Sequence, residues 1–170
     1  MAEALDPAIP GDIERLAQEV LQAACDRELM LATAESCTGG LLASLLTDIP
    51  GKSHAFERGF VTYTGDAKHE LLGVPRAVLE ADGPVSEACA RAMAEGALVR
   101  SRADLAVSIT GFCEGPQAGL VHLACAMRRG PVAHRLERFG DVGRAEVRLS
   151  ALRVGLRLFS RALRAPARAA

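Results

Sequence analysis

The stretch LMLATAESCTGG, residues 29–40, decides the fold, because it joins an apolar run to a helix through a turn rich in hydroxyl groups and glycine. Its first six residues are typical of a short buried strand. Residues 35–40 then form a tight turn, and residues 41–48 continue as a helix that the Pro-Gly pair at 50–51 ends. A strand followed by a turn and a helix is the repeating unit of α/β proteins.

The same alternation of strands and helices continues along the chain. The first strand reaches the second through a helix, so these two strands can be parallel, whereas the links 111–119 and 129–131 are too short for a helical crossover. We therefore predict an α/β fold, a three-layer α/β/α sandwich around a mixed, mostly parallel five-stranded sheet. The predicted strands are 29–34, 56–64, 105–110, 120–127 and 132–139, and the predicted helices are 13–28, 41–48, 66–72, a short one after Pro75, 86–101 and 142–163.

Length and composition limit the organisation and the partners of the chain. The 170 residues, 49% of them apolar, fit one domain with a proper core, and we predict a flexible arm at 1–12, a single domain at 13–164 and a flexible tail at 165–170. No apolar run approaches the roughly 18 residues of a membrane span, and the acidic N-terminus does not resemble a signal peptide. We expect a cytoplasmic protein without a membrane partner. Because the net charge is only −1, nucleic acid is an unlikely partner.

Charge is concentrated at the two ends of the chain. Residues 1–30 carry seven acidic residues against two arginines, while residues 143–170 carry seven arginines against a single glutamate. The main interpretation is that the terminal helices expose solvated faces. The alternatives are that the two helices pair acid to base, or that the arginines form a nucleic-acid patch.

The cysteines and histidines show no metal-binding spacing. The number of cysteines is odd, at five, and no C-x-x-C pair occurs, so neither a disulfide framework nor a zinc site is indicated. We expect most of the cysteines to be small buried residues. The four histidines form no H-x-x-x-H or H-E-x-x-H unit. We predict no metal and no cofactor.

The first candidate position for chemistry is the turn after the first strand, because ligands of α/β sheets bind at the carboxyl ends of strands. Ser36 lies there, followed by Thr38, Gly39 and Gly40, and backbone N–H groups at a helix N-terminus can hold a phosphate or an oxyanion. The alternative is an ordinary capping turn with Thr38 as the N-cap. Cys37 is a rival nucleophile, ranked lower because no histidine lies nearby in sequence to form its thiolate.

The second candidate position is 63–68, where Tyr63, the single tyrosine, ends a predicted strand and Lys68 follows one helical turn later. A buried lysine can lose its proton near neutral pH and then deprotonate a serine hydroxyl, which arginine cannot do. Lysine is rare here, with two among twenty basic residues. The alternative is a solvated first-turn lysine beside a half-buried core tyrosine. Glu35 and Asp66 have no spacing that supports a catalytic carboxylate pair.

Several motifs in the same order resemble the C-terminal-domain family of the competence/damage-inducible protein CinA, over residues 13–163. They include AESCTGG at 34–40, TDIPG at 47–51, FERGFVTY at 56–63, GPVS at 83–86 and SITG at 108–111. The stand-alone members of this family include nicotinamide mononucleotide amidase. The resemblance implies a three-layer α/β/α fold and hydrolysis of the carboxamide of nicotinamide mononucleotide, giving the nicotinate nucleotide and ammonia. A homodimer is the expected assembly.

The resemblance also implies roles for individual residues. The nucleophilic serine of the family falls on Ser36, its lysine on Lys68 and its tyrosine on Tyr63. The glycine-rich turn at 38–40 and the pair Thr110 and Gly111 are the expected substrate-binding residues. The segment GDVGR at 140–144 resembles a Gly-Asp-Arg motif with extra residues, so Arg144 is the candidate for binding the substrate phosphate.

One segment departs from the family pattern. The family carries a longer Gly/Pro-rich loop where this chain has only residues 112–118 before Gly119, and Glu114 adds a negative charge where a nucleotide phosphate would lie. The alternative function is therefore a catalytically impaired nucleotide-binding or regulatory protein that keeps the fold.

Overall fold

The structure is a computed structural model that describes residues 9–165. Most of the predicted arm and residues 166–170 of the predicted tail lie outside this range. The first helix begins two residues before its predicted start. The helices are α1 (Gly11–Asp26), α2 (Leu41–Thr47), α3 (Gly65–Leu72), α4 (Arg76–Ala81), α5 (Glu87–Val99) and α6 (Arg144–Arg164), with a short 3₁₀ helix at Ser53–Ala55. The strands are β1 (Leu31–Glu35), β2 (Phe56–Val61), β3 (Leu105–Gly111), β4 (Leu120–Met127) and β5 (Ala133–Arg138).

The five strands form one mixed sheet in the order β2-β1-β3-β4-β5. Strand β1 is parallel to both β2 and β3, while β4 is antiparallel to both β3 and β5. Four strands therefore run in one direction and β4 runs against them. The predicted sheet is confirmed, because the two short links do form antiparallel neighbours.

The two faces of the sheet carry side chains of different size. One face, which we call the aliphatic face, packs against α1, α2 and α6, and the other, which we call the alanine face, packs against α3, α4 and α5. Because successive strand residues point to opposite faces, the central strands β1, β3 and β4 contribute large residues to one face and small ones to the other. The aliphatic face comprises Leu31, Leu105, Val107, Ile109, Val121 and Leu123. The alanine face comprises Ala32, Ala34, Ala106, Ala124 and Ala126.

Small residues bring the elements above the alanine face close together. Gly96 of α5 lies against the end of α3, where an added Cβ would come within 1.9 Å of the Leu72 carbonyl oxygen. Only glycine allows this approach, because any other side chain would push the helix away from α3. The end of α3 is thereby held close to α5.

The terminal helices α1 and α6 meet on the aliphatic face. Asp12 accepts hydrogen bonds from Arg153, whose Nε lies 2.6 Å from the carboxylate. The acid-to-base alternative is therefore correct at this pair. In the described range, no helix is both long and apolar enough to cross a membrane.

Candidate functional site

The turn after β1 is held in place by backbone geometry. The N–H group of Ser36 donates to the carbonyl of Ile109, 2.9 Å away, which keeps the serine aligned with β3. Gly39 and Gly40 adopt φ angles of 60° and 91°, in the left-handed region that favours glycine. A Cβ on Gly40 would also lie only 3.1 Å from the Val61 side chain. The glycine pair therefore lets the chain turn sharply after Ser36.

Glu35 organises the start of α2, a role that the sequence analysis missed. Its buried carboxylate accepts hydrogen bonds from the Thr38 hydroxyl at 2.7 Å and from the N–H groups of Leu42 and Ala43 at 3.0 and 2.8 Å. The N-cap is Gly40, so the alternative with Thr38 as N-cap is wrong. The carboxylate satisfies two N–H groups of the first helical turn, and its negative charge complements the helix dipole.

Ser36 and Lys68 meet although they are 32 residues apart. The Nζ atom of Lys68 donates to the Oγ atom of Ser36 at 3.2 Å, and both residues are buried, with exposed fractions of 1% and 5%. Helix α3 positions the lysine, because the Thr64 hydroxyl accepts a bond from the Ala67 N–H and thereby begins the helix. The alternative of a solvated first-turn lysine is wrong.

Burial favours the neutral amine of Lys68. Loss of solvation lowers the pKa of Lys68, and only negative charge on Cys89 or Cys37 would oppose this. Both thiols stay neutral near neutral pH, since burial raises the pKa of Cys89, and the neighbouring Cys113 thiol together with burial raises that of Cys37. Among residues 9–165, no carboxylate lies within ion-pair distance of Lys68. The site therefore holds an amine that is suited to accept a proton.

Backbone N–H groups surround the serine. The Gly39 N–H is occupied, because it donates to the Ser36 carbonyl at 3.0 Å. The N–H groups of Cys37, Thr38 and Gly40, in contrast, have no hydrogen-bond acceptor in the described part of the chain. Such donors beside a nucleophile are suited to stabilise an oxyanion.

Thr110 and Gly111 lie beside the serine but serve internal contacts. Thr110 is buried, and its hydroxyl donates to the Pro84 carbonyl at 2.7 Å, which fixes the segment that leads into α5. A Cβ on Gly111 would lie 2.7 Å from the Val121 side chain, so glycine is needed there for the packing of β4. In this structure neither side chain offers a free polar group to a ligand.

Tyr63 lies at the rim of the site rather than beside the lysine. Strand β2 ends at Val61, before its predicted end, and Tyr63 is 66% exposed, so the alternative of a half-buried core tyrosine is wrong. Its hydroxyl lies near the guanidinium of Arg144 and raises the pKa of that arginine. Because Ser36 and Lys68 touch directly, the proton path between them does not require the tyrosine.

Two arginines of α6 face the turn. Arg144 forms a salt bridge with Glu114, with 2.6 Å between Nη2 and Oε1, so the extra anion of the short loop contacts the predicted phosphate-binding residue. Arg148 was missed by the sequence analysis, although it follows Arg144 by four residues on the same helix face. Its Nη2 donates to the Thr38 carbonyl at 2.7 Å, and its buried Nε has no acceptor among the described residues.

Comparison with known proteins places the chain in a family. The sequence model of the CinA C-terminal domain matches residues 13–163. The chain belongs to the CinA C-terminal-domain family. A solved structure described as the competence/damage inducible protein CihA from Agrobacterium tumefaciens is 48% identical, with a TM-score of 0.87 over 92% of this chain and 98% of that chain. A CinA superfamily protein from Escherichia coli is 33% identical, with a TM-score of 0.83 over 95% of each chain.

Curated members of the CinA family carry two kinds of name. The nicotinamide-nucleotide amidohydrolase PncC of Escherichia coli K12 is 44% identical over 138 residues, which are 77% of this chain and 84% of that protein. A CinA-like protein of Chlorobium limicola is 57% identical over 94 residues, covering 55% of this chain and 22% of that protein. The chain therefore spans about a quarter of the length of the curated CinA-like relatives that it matches.

Proposed function

We propose that this chain is an amidohydrolase that converts nicotinamide mononucleotide into nicotinate mononucleotide and ammonia by a Ser/Lys mechanism. The observation that carries the proposal is the buried 3.2 Å contact between Ser36 Oγ and Lys68 Nζ. The name of the Escherichia coli relative supports the substrate. Among residues 9–165, no group of three histidine, cysteine, aspartate or glutamate side chains is placed to hold a metal ion.

In the first half of the reaction, Ser36 Oγ attacks the carboxamide carbon while neutral Lys68 takes the hydroxyl proton. The carbonyl oxygen becomes an oxyanion, for which the free N–H groups of Thr38 and Gly40 are suited donors. Lys68 then gives its proton to the nitrogen, the C–N bond breaks and ammonia leaves. The nicotinoyl group is now an ester of Ser36.

The second half releases the product by the same route. A water molecule attacks the ester carbon while Lys68 takes one of its protons. Lys68 returns that proton to Ser36 Oγ as the ester bond breaks, and the carboxylic acid formed ionises in solution. Lys68 is neutral at the start and end of the cycle, so the lowered pKa caused by its burial keeps it ready for each turnover.

The substrate phosphate would bind at the rim. Arg144 is suited to this role because its guanidinium is partly exposed and its partner Glu114 lies on the exposed loop. Gly39, which is exposed, leaves room for the ligand above the turn. The cytoplasmic location and the homodimer stay predictions.

The alternative is a catalytically impaired member of the family that binds a nucleotide without turnover. The salt bridge between Glu114 and Arg144 favours this alternative, because an anion already occupies the guanidinium that a phosphate would need. The two functions differ in a direct assay. The amidase releases ammonia from nicotinamide mononucleotide, whereas the impaired protein binds it and releases none.

The test is an ammonia assay on the purified chain with nicotinamide mononucleotide, with and without a chelator. We expect release with the parent protein in both conditions and none with Ser36→Ala. Binding of the nucleotide by calorimetry without ammonia release would support the impaired protein instead. Loss of activity on chelation, restored by a divalent ion, would contradict the metal-free mechanism.

A further inference from the structure

Two cysteines meet beside the nucleophile turn. Cys37 directly follows Ser36, and Cys113 lies in the short loop 112–118 that follows β3. The Sγ atom of Cys113 lies 4.0 Å from the Cys37 carbonyl oxygen, and the two thiols are close enough for each to shift the pKa of the other. The amidase mechanism uses neither thiol. The pair thus links two segments of the chain without a function in turnover.

The surroundings of the pair shift the pKa values of the two thiols in opposite directions. The neighbouring Cys37 thiol and the guanidinium groups of Arg144 and Arg148 together lower the pKa of Cys113 to about 7, against the effect of burial. The Cys113 thiol and burial raise the pKa of Cys37. Cys113 is therefore the thiol of the pair that ionises more readily near neutral pH, beside a protonated Cys37. A thiolate next to a thiol is the arrangement that oxidants attack in redox-sensitive pairs.

The other two buried cysteines, Cys89 and Cys125, lack this arrangement. Burial raises the pKa of Cys125 to about 12 and also raises that of Cys89, and these two thiols have no sulfur partner in the described range. Both therefore remain protonated and unreactive. Cys125 lies on β4, away from the nucleophile turn, and provides a matched control.

We propose that Cys37 and Cys113 form a reversible disulfide when the protein meets a hydroperoxide, and that this bond switches off the site at Ser36. The Cys113 thiolate attacks one peroxide oxygen, the O–O bond breaks, and the second oxygen leaves as hydroxide, which becomes water. The sulfur of Cys37 then displaces water from the sulfenic acid on Cys113 as its proton is lost. Two thiols are oxidised by two electrons, and one hydrogen peroxide is reduced to two waters. A dithiol restores both thiols by exchange.

The short sulfur–sulfur bond of the disulfide would shift the position of Ser36. A disulfide holds its sulfurs about 2.05 Å apart, which is closer than any contact between two thiols. The Cys113 loop and the turn that carries Cys37 must therefore approach each other, and Ser36 is the chain neighbour of Cys37. A shift of about 1 Å in a reacting group can cost about 100-fold in rate. The effect on turnover rests on the proposed amidase function, whereas formation of the bond does not.

The experiment treats the full chain with stoichiometric hydrogen peroxide, blocks the remaining thiols and maps the peptides by mass spectrometry. We expect the peptides that contain Cys37 and Cys113 to be linked, with a mass two hydrogens below the sum of the two free peptides. Dithiothreitol should separate them. Cys125→Ser should form the same link, and Cys113→Ser should form none. A link in other cysteines only, or no link at all, would overturn the proposal.

Turnover is measured in parallel and separates the two proposals. In the oxidised parent protein, ammonia release should fall by roughly tenfold or more and return with dithiothreitol. Cys113→Ser should keep its basal rate and not respond to peroxide, because it retains Ser36 and Lys68. If the link forms and the rate is unchanged, the switch is wrong. If the link forms but the reduced protein also releases no ammonia, the amidase function fails and the disulfide stands.

Discussion

The two faces of the sheet differ in what they hold. The aliphatic face carries leucine, valine and isoleucine under long helices, while the alanine face carries small residues under α5 together with buried polar side chains such as Lys68, Ser108 and Thr110. Large apolar residues stabilise the fold by burying area. Small residues bury less area, but they let a lysine and hydroxyl groups enter the interior. The first face supplies most of the large buried aliphatic side chains, and the second holds the Ser36–Lys68 pair.

The largest expected effect is a loss of kcat on substitution of the proposed nucleophile, Ser36, on the alanine side. Ser36→Ala should lower kcat roughly a thousandfold or more, because no other group attacks the carboxamide. The double variant with Lys68→Arg should be little worse than either single variant, since both residues serve one step. Single-turnover release of ammonia measures this. Ser44→Ala, an exposed serine on α2, is the control and should keep the parent rate. Multiplying losses in the double variant would mean that the two residues act in separate steps.

A substitution on the aliphatic side should lower stability and leave kcat almost unchanged. Phe159 is fully buried in α6, so Phe159→Ala should lower the free energy of unfolding by about 3–5 kcal/mol. The kcat of the molecules that remain folded should change little, because the residue lies in the other core. Urea unfolding and an active-site titration report the two quantities. A loss of kcat as large as that of Ser36→Ala would show that the faces are not separable.

Lys68 should lower the free energy of unfolding, because the buried amine that serves as the proposed base is removed from water. Replacing the buried amine with an apolar side chain in Lys68→Met should raise the free energy of unfolding by about 1–3 kcal/mol, the cost of burying a polar group. The unfolded lysine is protonated below about pH 10.4, and burial lowers the pKa in the folded state. Its cost to the fold is therefore absent above that pH, grows as pH falls and is complete below the folded pKa.

Thermal unfolding over a range of pH checks this prediction. The gain in melting temperature of Lys68→Met over the parent should be largest at low pH and should vanish in alkali. Lys52→Met, at the other lysine, should show no such trend. A destabilised Lys68→Met at every pH would contradict burial as the cause of the shift.

The smallest expected effect is a change in KM at the exposed salt bridge between Glu114 and Arg144. Glu114→Gln should lower the KM for nicotinamide mononucleotide by about two- to fivefold, because it frees Arg144, and exposed ion pairs contribute about 1 kcal/mol or less. The unphosphorylated riboside should be unaffected. Glu137→Gln, which removes a salt bridge to Arg135 on β5, is the matched control. An equal change with both substrates would remove Arg144 from phosphate binding.

The sequence was most informative where periodicity and link length decide the outcome. The short links 111–119 and 129–131 required antiparallel neighbours, and the alternation before them required parallel strands, so the mixed sheet could be predicted. The same reasoning put Ser36 and the segment of Lys68 at carboxyl ends of adjacent strands. Topology predicted one shared crevice for the two segments, whereas the pairing of Ser36 with Lys68 was implied by the family resemblance.

Side-chain partners were harder to predict, because they depend on local geometry. Glu35 looked like a candidate carboxylate without a partner, yet it caps α2 through two N–H groups that only the folded turn brings together. Tyr63 was placed at a strand end because the apolar pattern continues to residue 64, but the strand stops at Val61 and leaves the ring exposed. Arg148 belongs to no recognised motif, and its four-residue spacing from Arg144 was the single signal that could have indicated it.

The most direct measurement is the rate of ammonia release from nicotinamide mononucleotide by Lys68→Arg. Arginine keeps the positive charge but cannot give up its proton near neutral pH, so it cannot act as the base. We predict a loss of roughly a thousandfold or more, at every pH tested, in a protein that still folds. Turnover at the parent rate would show that the amine of Lys68 is not the base and would contradict the Ser/Lys mechanism.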